Sequence, residues 1–283
     1  MPVAAINGTD IHYETHGEGF PMVFVHGGYG GLGTGQGGTV PEWVESFAER
    51  FKVILYDRRS SGRSGFPTSV HSMEQFAGDI RELLRHLGHE RAHVWGTSAG
   101  GPITLCFGLE HPSAAASLVI TESAPWLSQD EELLARLKER IGVMESDGPE
   151  AAYAARRESG TVGLNLFAAA RPAQEASERE ARNERMEAIK AQLAKVPREE
   201  RIAKYAGELR TYRAYADWDG SARFGELEMP VLIAQGTGDT VFPNAGWDAL
   251  AEGMPNVDYR EVAGAEHGQA QRPPEILEFL SQI

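Results

Sequence analysis

The sequence predicts an α/β fold: a mostly parallel sheet covered by helices on both faces, interrupted once by a helical insertion. Three observations carry this expectation. Short apolar strands alternate with amphipathic helices from the N-terminus to Ile120. From about Pro125 to Met229 strand signals disappear, and Glu, Arg, Ala and Lys dominate. The strand-helix rhythm then returns at Val231 and runs to the C-terminus. Parallel strands need crossover helices between them, and those helices bury both sheet faces.

The elements follow in order. Residues 10–16 and 22–26 read as strands, and Met22-Val23-Phe24-Val25-His26 has the unbroken apolar run of a strand buried on both sides. After a glycine-rich loop, Pro41 to Phe51 reads as a helix with Trp43, Val44 and Phe47 on one stripe. Val53 to Tyr56 is the next strand. Residues 72–87 place Met73, Phe76, Ile80, Leu83, Leu84 and Leu87 on one helical face, closed by Gly88. Ala92 to Trp95 is a strand, 99–110 a helix, and Ser117 to Ile120 a strand. Beyond the insertion, Val231 to Ala234 and Val257 to Val262 complete the strand set.

At 283 residues, with 41% hydrophobic and 24% charged side chains, the chain suits one large domain or a core with an inserted subdomain. A net charge of −14 argues against nucleic acid and against anionic membranes, because both are bound by clustered Lys and Arg. The lone Cys106, in an apolar stretch, excludes an internal disulfide and reads as a buried thiol. The first residues show neither a basic nor an apolar signal region, and no apolar run approaches the ~20 residues of a membrane span. The expected location is cytoplasmic.

The chemistry concentrates at loops after strands. Gly96-Thr97-Ser98-Ala99-Gly100 is a G-x-S-x-G sequence between a strand and a helix, the context of a nucleophile elbow. A serine hydroxyl needs a base, and His267, after the strand ending at Val262, follows it in the required order. Asp239, just after the strand from Val231 to Gln235, is the expected acid orienting the histidine. An aspartate there can also form only an Asx turn, and Glu122, after the strand ending at Ile120, is a rival acid. An oxyanion needs two backbone N–H donors: one from Ala99, the other from Gly28 or Gly27, with Gly28 favoured. A pocket lining is expected from Tyr29, Trp126, Leu166, Phe167, Tyr212 and Trp218, unless these aromatic and aliphatic side chains form the core of the insertion.

Strand-His26-Gly27-Gly28, Asp57-Arg58-Arg59-Ser60-Ser61-Gly62-Arg63-Ser64, Gly96-Thr97-Ser98-Ala99-Gly100-Gly101, Gly238-Asp239 and His267, taken in that order, resemble the α/β-hydrolase fold superfamily. The resemblance implies an eight-stranded, mostly parallel sheet, with residues 1–124 and 229–283 as core and 125–228 as a helical cap. It also implies that Asp57 to Ser64 ties loops beneath the site, although Arg58-Arg59-Ser60 departs from the more usual Arg-Gly pattern. Serine at the elbow argues against the relatives with an aspartate nucleophile, the epoxide hydrolases and haloalkane dehalogenases.

Other motifs are weaker. Gly28-Tyr29-Gly30-Gly31-Leu32-Gly33 fits a dinucleotide fingerprint, but further glycines at 35, 37 and 38 leave no helix start for a pyrophosphate. His86, His89 and His93 straddle a helix end, a turn and a strand, and His12 with His16 lacks a third ligand, so no metal is expected. The expected activity is hydrolysis of an ester or related acyl bond of a small molecule through an acyl-enzyme, without a cofactor. The alternatives are a C–C bond hydrolase, a proline-iminopeptidase-like aminopeptidase, or a non-catalytic ligand receptor on the same fold. No residue pattern speaks to oligomeric state.

Overall fold

The computed structural model describes residues 2–28, 40–126, 131–156, 191, 195–242 and 246–283. Its strands are Val3–Ile6 (β1), Thr9–His16 (β2), Phe20–Val25 (β3), Phe51–Tyr56 (β4), Ala92–Thr97 (β5), Ala115–Thr121 (β6), Val231–Gly236 (β7) and Val257–Val262 (β8). They form one eight-stranded sheet in the order β1-β2-β4-β3-β5-β6-β7-β8. Pairing is parallel from β4 to β8 and antiparallel where β2 meets β1 and β4. The expected α/β architecture is present, with one strand the periodicity reading omits. That strand, β1, turns into β2 through Asn7 and Gly8 at φ 47° and 77°, the doubly left-handed pair that a two-residue hairpin requires.

Side chains alternate across the sheet into two cores. Val23, Val25, Ile54, Val94, Leu118, Ile120, Val231 and Ile233 face one side, under helices α2 (Met73–His86) and α3 (Gly100–Glu110). Met22, Phe24, Val53, Leu55, Trp95, Val119 and Leu232 face the other, under α1 (Trp43–Ala48) and a C-terminal helix, Pro273–Leu280. Trp95 is fully buried there, packed on Trp43 with ring centroids 4.6 Å apart, and its indole N–H donates to Thr121 Oγ1 at 3.0 Å. Ser72 caps α2 by accepting from the Gln75 N–H at 3.1 Å, and Gly88 ends it at φ 78°.

Between β6 and β7 the chain leaves the sheet. Helix α4 (Glu131–Ala155), kinked at Gly148 before Pro149, packs against α5 (Arg198–Ala216). Tyr205, Leu209, Tyr212 and Tyr215 of α5 are buried in the same core as α2 and α3. Gly207 brings α5 close to the loop after β4, since a Cβ there would stand 2.8 Å from Ser60 Cβ. Among the described residues, no helix is long and apolar enough to cross a membrane.

The loop after β4 takes its path in spite of the missing glycine. Ser60 itself adopts φ 59°, the conformation glycine would have eased. Arg59 anchors it through a two-point ion pair: Nε to Asp79 Oδ2 and Nη2 to Asp79 Oδ1, both 2.6 Å, with both side chains buried. Asp57 closes the turn by accepting from the Arg63 N–H at 2.9 Å. Removing one member of a buried pair leaves the other charged and desolvated. Asp79→Ala is therefore expected to cost about 3 to 5 kcal/mol, read as a lower urea midpoint at an unchanged slope.

Candidate active site

The elbow is built by backbone crowding. Ser98, following β5, adopts φ 51° and hands the chain directly into α3. Such a turn brings main chains together where a side chain would not fit. A Cβ on Gly96 would lie 2.3 Å from Thr104 Oγ1, one on Gly100 would lie 2.1 Å from the Val25 carbonyl oxygen, and one on Gly101 would lie 2.1 Å from Ser123 Oγ. The Ser98 N–H donates to the Thr121 carbonyl at 2.9 Å, which ties the elbow to β6. The result leaves Ser98 partly exposed at the C-terminal edge of the parallel strands, where sites form in this class of sheet.

His267 arrives from the loop after β8. Its Nε2 lies 3.2 Å from Ser98 Oγ and its Nδ1 lies 2.8 Å from Asp239 Oδ2. With Nδ1–H given to the carboxylate, Nε2 is left as an acceptor facing the serine hydroxyl. Asp239 follows β7 and is buried. Its Oδ1 accepts from the Val241 and Phe242 N–H groups at 2.8 and 2.9 Å, while Oδ2 also accepts from Gln235 Nε2 at 3.2 Å. Burial pushes this carboxyl up, but the His267 and backbone hydrogen bonds outweigh it and hold Asp239 below the usual carboxylate range. The Asx turn and the histidine contact therefore coexist, one on each carboxylate oxygen.

Glu122 does not compete for the histidine. Its Oε1 accepts from the Ala270 N–H, and its Oε2 accepts from Gln271 Nε2 at 3.2 Å, so it braces the loop that carries His267.

On the opposite side of Ser98 stands the loop after β3. Gly27 has no room for a side chain, since a Cβ would lie 2.7 Å from Ser98 Cβ, and Gly28 turns through φ 61°. His26 is buried, and its Nδ1–H donates to the Gly27 carbonyl at 2.8 Å. Burial, reinforced by the Arg58 charge, lowers its pKa to about 3, so the ring is neutral and its Nε2 accepts from Ser61 Oγ at 3.2 Å.

Sequence reasoning missed the supports. Ser123 donates from Oγ to the Ser98 carbonyl at 2.6 Å, and Gln235 accepts from the Ser123 N–H at 3.0 Å while donating to Asp239. Gln235, a polar residue closing an otherwise apolar strand, was the available signal. The expected pocket residues fall in different places. Tyr212 has 0% exposure and lies in the main core, where it presents no surface to a ligand. Trp218 packs on Phe224 and beside Leu109, at the far end of α3 from Ser98. Trp126 lies beside Gly246, whose added Cβ would stand 2.9 Å from Trp126 Cζ2. Tyr29, Leu166 and Phe167 lie outside the described residues. Among the described residues, no group of three or more His, Cys, Asp or Glu is placed to hold a metal.

Residues 21–269 match the family model for the alpha/beta hydrolase fold. The chain belongs to the α/β-hydrolase family. It is 30% identical over 280 residues to a protein of Azorhizobium caulinodans named "Putative carbamate hydrolase RutD", covering 98% of this chain and 95% of that one. Among solved structures it resembles the enol-lactonase of Burkholderia xenovorans LB400, with a TM-score of 0.68, 21% identity, and 99% and 98% of the two chains covered. It also resembles Est816, described as an N-acyl homoserine lactone degrading enzyme, with a TM-score of 0.65, 26% identity and complete coverage of both chains. The family assignment and these relatives make the chain a hydrolase of the α/β class.

The role of Glu122 as a brace can be measured directly. Glu122→Ala leaves the buried Ala270 N–H without its acceptor, a loss of about 1 to 3 kcal/mol. Amide exchange at Ala270 is then expected to quicken by ~5- to 150-fold, the same range expressed as an equilibrium constant. An unchanged exchange rate would show that the loop is held by other contacts.

Proposed function

We propose that the chain hydrolyses a carboxylic ester, or a related acyl bond of a small molecule, through an acyl-enzyme on Ser98. The observation that supports this reading best is the unbroken hydrogen-bond chain from Ser98 Oγ through His267 to Asp239, with distances of 3.2 and 2.8 Å.

The steps follow from the hydrogen bonds. Ser98 Oγ attacks the acyl carbon as its proton passes to His267 Nε2. Asp239, ionised because its oxygens accept from His267 and two backbone N–H groups, stabilises the imidazolium that forms. Negative charge gathering on the former carbonyl oxygen is met by the N–H groups of Gly28 and Ala99. The Gly28 N–H shares a planar peptide with the Gly27 carbonyl, which His26 holds, so its direction is set from behind. His267 then returns the proton to the leaving group, and a water deprotonated by the same Nε2 releases the acid. His26, neutral and engaged at both ring nitrogens, takes no part in proton transfer.

In this reading residues 1–124 and 229–283 form the catalytic core, and 125–228 form a cap that shapes the substrate pocket. The name of the 30%-identical relative adds carbamates to the substrate classes worth assaying, and the description of Est816 adds lactones. A carbamate, a lactone and an ester all present an acyl carbon bonded to a heteroatom leaving group, so the same sequence of steps serves each.

A fluorophosphonate probe is expected to add once, to Ser98, in intact-protein mass spectrometry, and Ser98→Ala should abolish the adduct. Labelling that survives this substitution would sink the assignment. Asp239→Asn should lower kcat by roughly 10³ to 10⁴ on the best ester, lactone or carbamate, because the orienting carboxylate is lost. Glu122→Gln should cost far less, and a reversed ranking would move the acid to the end of β6.

A further inference from the structure

Two N–H donors can stabilise an oxyanion only if their peptide planes are held before the charge develops. For Ala99 the preceding plane is fixed at its carbonyl by Ser123 Oγ at 2.6 Å and by the Gly101 N–H at 3.0 Å. The following plane is fixed by a residue far away in sequence: the Tyr215 hydroxyl donates to the Ala99 carbonyl. Gly28 needs such support too, because at φ 61° it holds a conformation open to glycine, the residue with the freest backbone. Its preceding plane is held by His26, and its own carbonyl accepts from Arg58 Nη2.

These grips are joined. Arg58 Nη1 donates to Tyr215 Oη at 2.7 Å, so one chain of hydrogen bonds runs from the Gly28 carbonyl through a guanidinium and a phenol to the Ala99 carbonyl. Donor and acceptor roles are satisfied along it: the phenol accepts from Arg58 and spends its single proton on Ala99. Arg58 and Tyr215 are 1% and 3% exposed, so the hydrogen bond between them is shielded from water. A planar guanidinium has fixed angles between its N–H groups, so it sets the spacing of its two partners where an ammonium would not.

We propose that Arg58 and Tyr215 are positioning residues that set the two oxyanion donors against each other, with Tyr215 of α5 acting on the elbow from within the insertion. Neither residue touches the substrate in this role; both act through the backbone of Gly28 and Ala99. The proposal rests on the acyl-enzyme reading above. It also changes the division of labour, because part of the catalytic geometry is held by the segment otherwise assigned to substrate choice.

Tyr215→Phe keeps the ring and removes the hydroxyl. Deleting an oxyanion donor outright costs ~10² to 10³ in kcat, so loosening one should cost less, ~10-fold or somewhat more. KM for a short-chain p-nitrophenyl ester should stay within about twofold, since the loss falls on the transition state. An aryl boronic acid, which forms a tetrahedral adduct on Ser98, should bind weaker by the same factor as kcat. Arg58→Lys retains the charge without the fork and should give the same split, so the test does not hang on one variant folding. Parental kcat in Tyr215→Phe would overturn the proposal. So would a fall in kcat matched by a lower Tm with boronate affinity unchanged, because that pattern belongs to a purely structural residue. Fluorophosphonate labelling of the parent separates the two readings: an unlabelled Ser98 there would overturn the acyl-enzyme mechanism itself rather than the relay.

Discussion

Ser98 occupies a backbone conformation that costs a side-chain-bearing residue of order 1 to 3 kcal/mol, and the surrounding chain holds it there at both its N–H and its carbonyl. Its φ of 51° is enforced from several directions: β6 holds its N–H, Ser123 holds its carbonyl, and α3 begins two residues later. The glycines at 96, 100 and 101 are the complement of this strain, because each removes a Cβ that would collide with main chain or with a side chain packed beneath the turn. Much of the architecture on this edge follows. β3 and β6 flank β5, and the loops leaving them end beside the serine because the parallel register brings their C-terminal ends level.

The sheet also explains why the polar parts of the site are buried without being orphaned. Asp239, Gln235, Ser123 and Glu122 all lie at or just beyond the ends of β6 and β7, where ladder hydrogen bonding stops and backbone groups need partners. Gln235 is the link among them, with its amide oxygen on the Ser123 N–H and its nitrogen on Asp239. An interior held this way is polar yet nearly fully satisfied, so it adds rigidity rather than a desolvation penalty.

How much was legible in the sequence depends on the range of the interaction. Strands β2 to β8, helix α2 with its Gly88 cap, and the places of Ser98, Asp239 and His267 after their strands were readable because each is announced by residues within a few positions of it. β1 was missed although Asn7-Gly8 signals a hairpin, because its exposed alternate positions dilute the apolar pattern. The loop after β4 was announced as irregular by Ser60, and the structure shows a serine bearing a glycine's φ. The supports were not readable for a different reason. Tyr215 meets Ala99 across 116 positions, and nothing near either residue marks the other. The aromatic residues of the insertion were ambiguous between core and pocket, and Tyr212 resolves to core.

The insertion leaves the sheet at β6 and returns at β7, and these strands are hydrogen-bonded neighbours. Its two points of attachment are therefore close together in space, and the sheet continues across them. The contact from Tyr215 to the elbow adds a third tie, deep within the segment. The segment between β6 and β7 is thus tied to the sheet at its two ends and to the Ser98 turn from within, so a change in its packing reaches that turn through Tyr215.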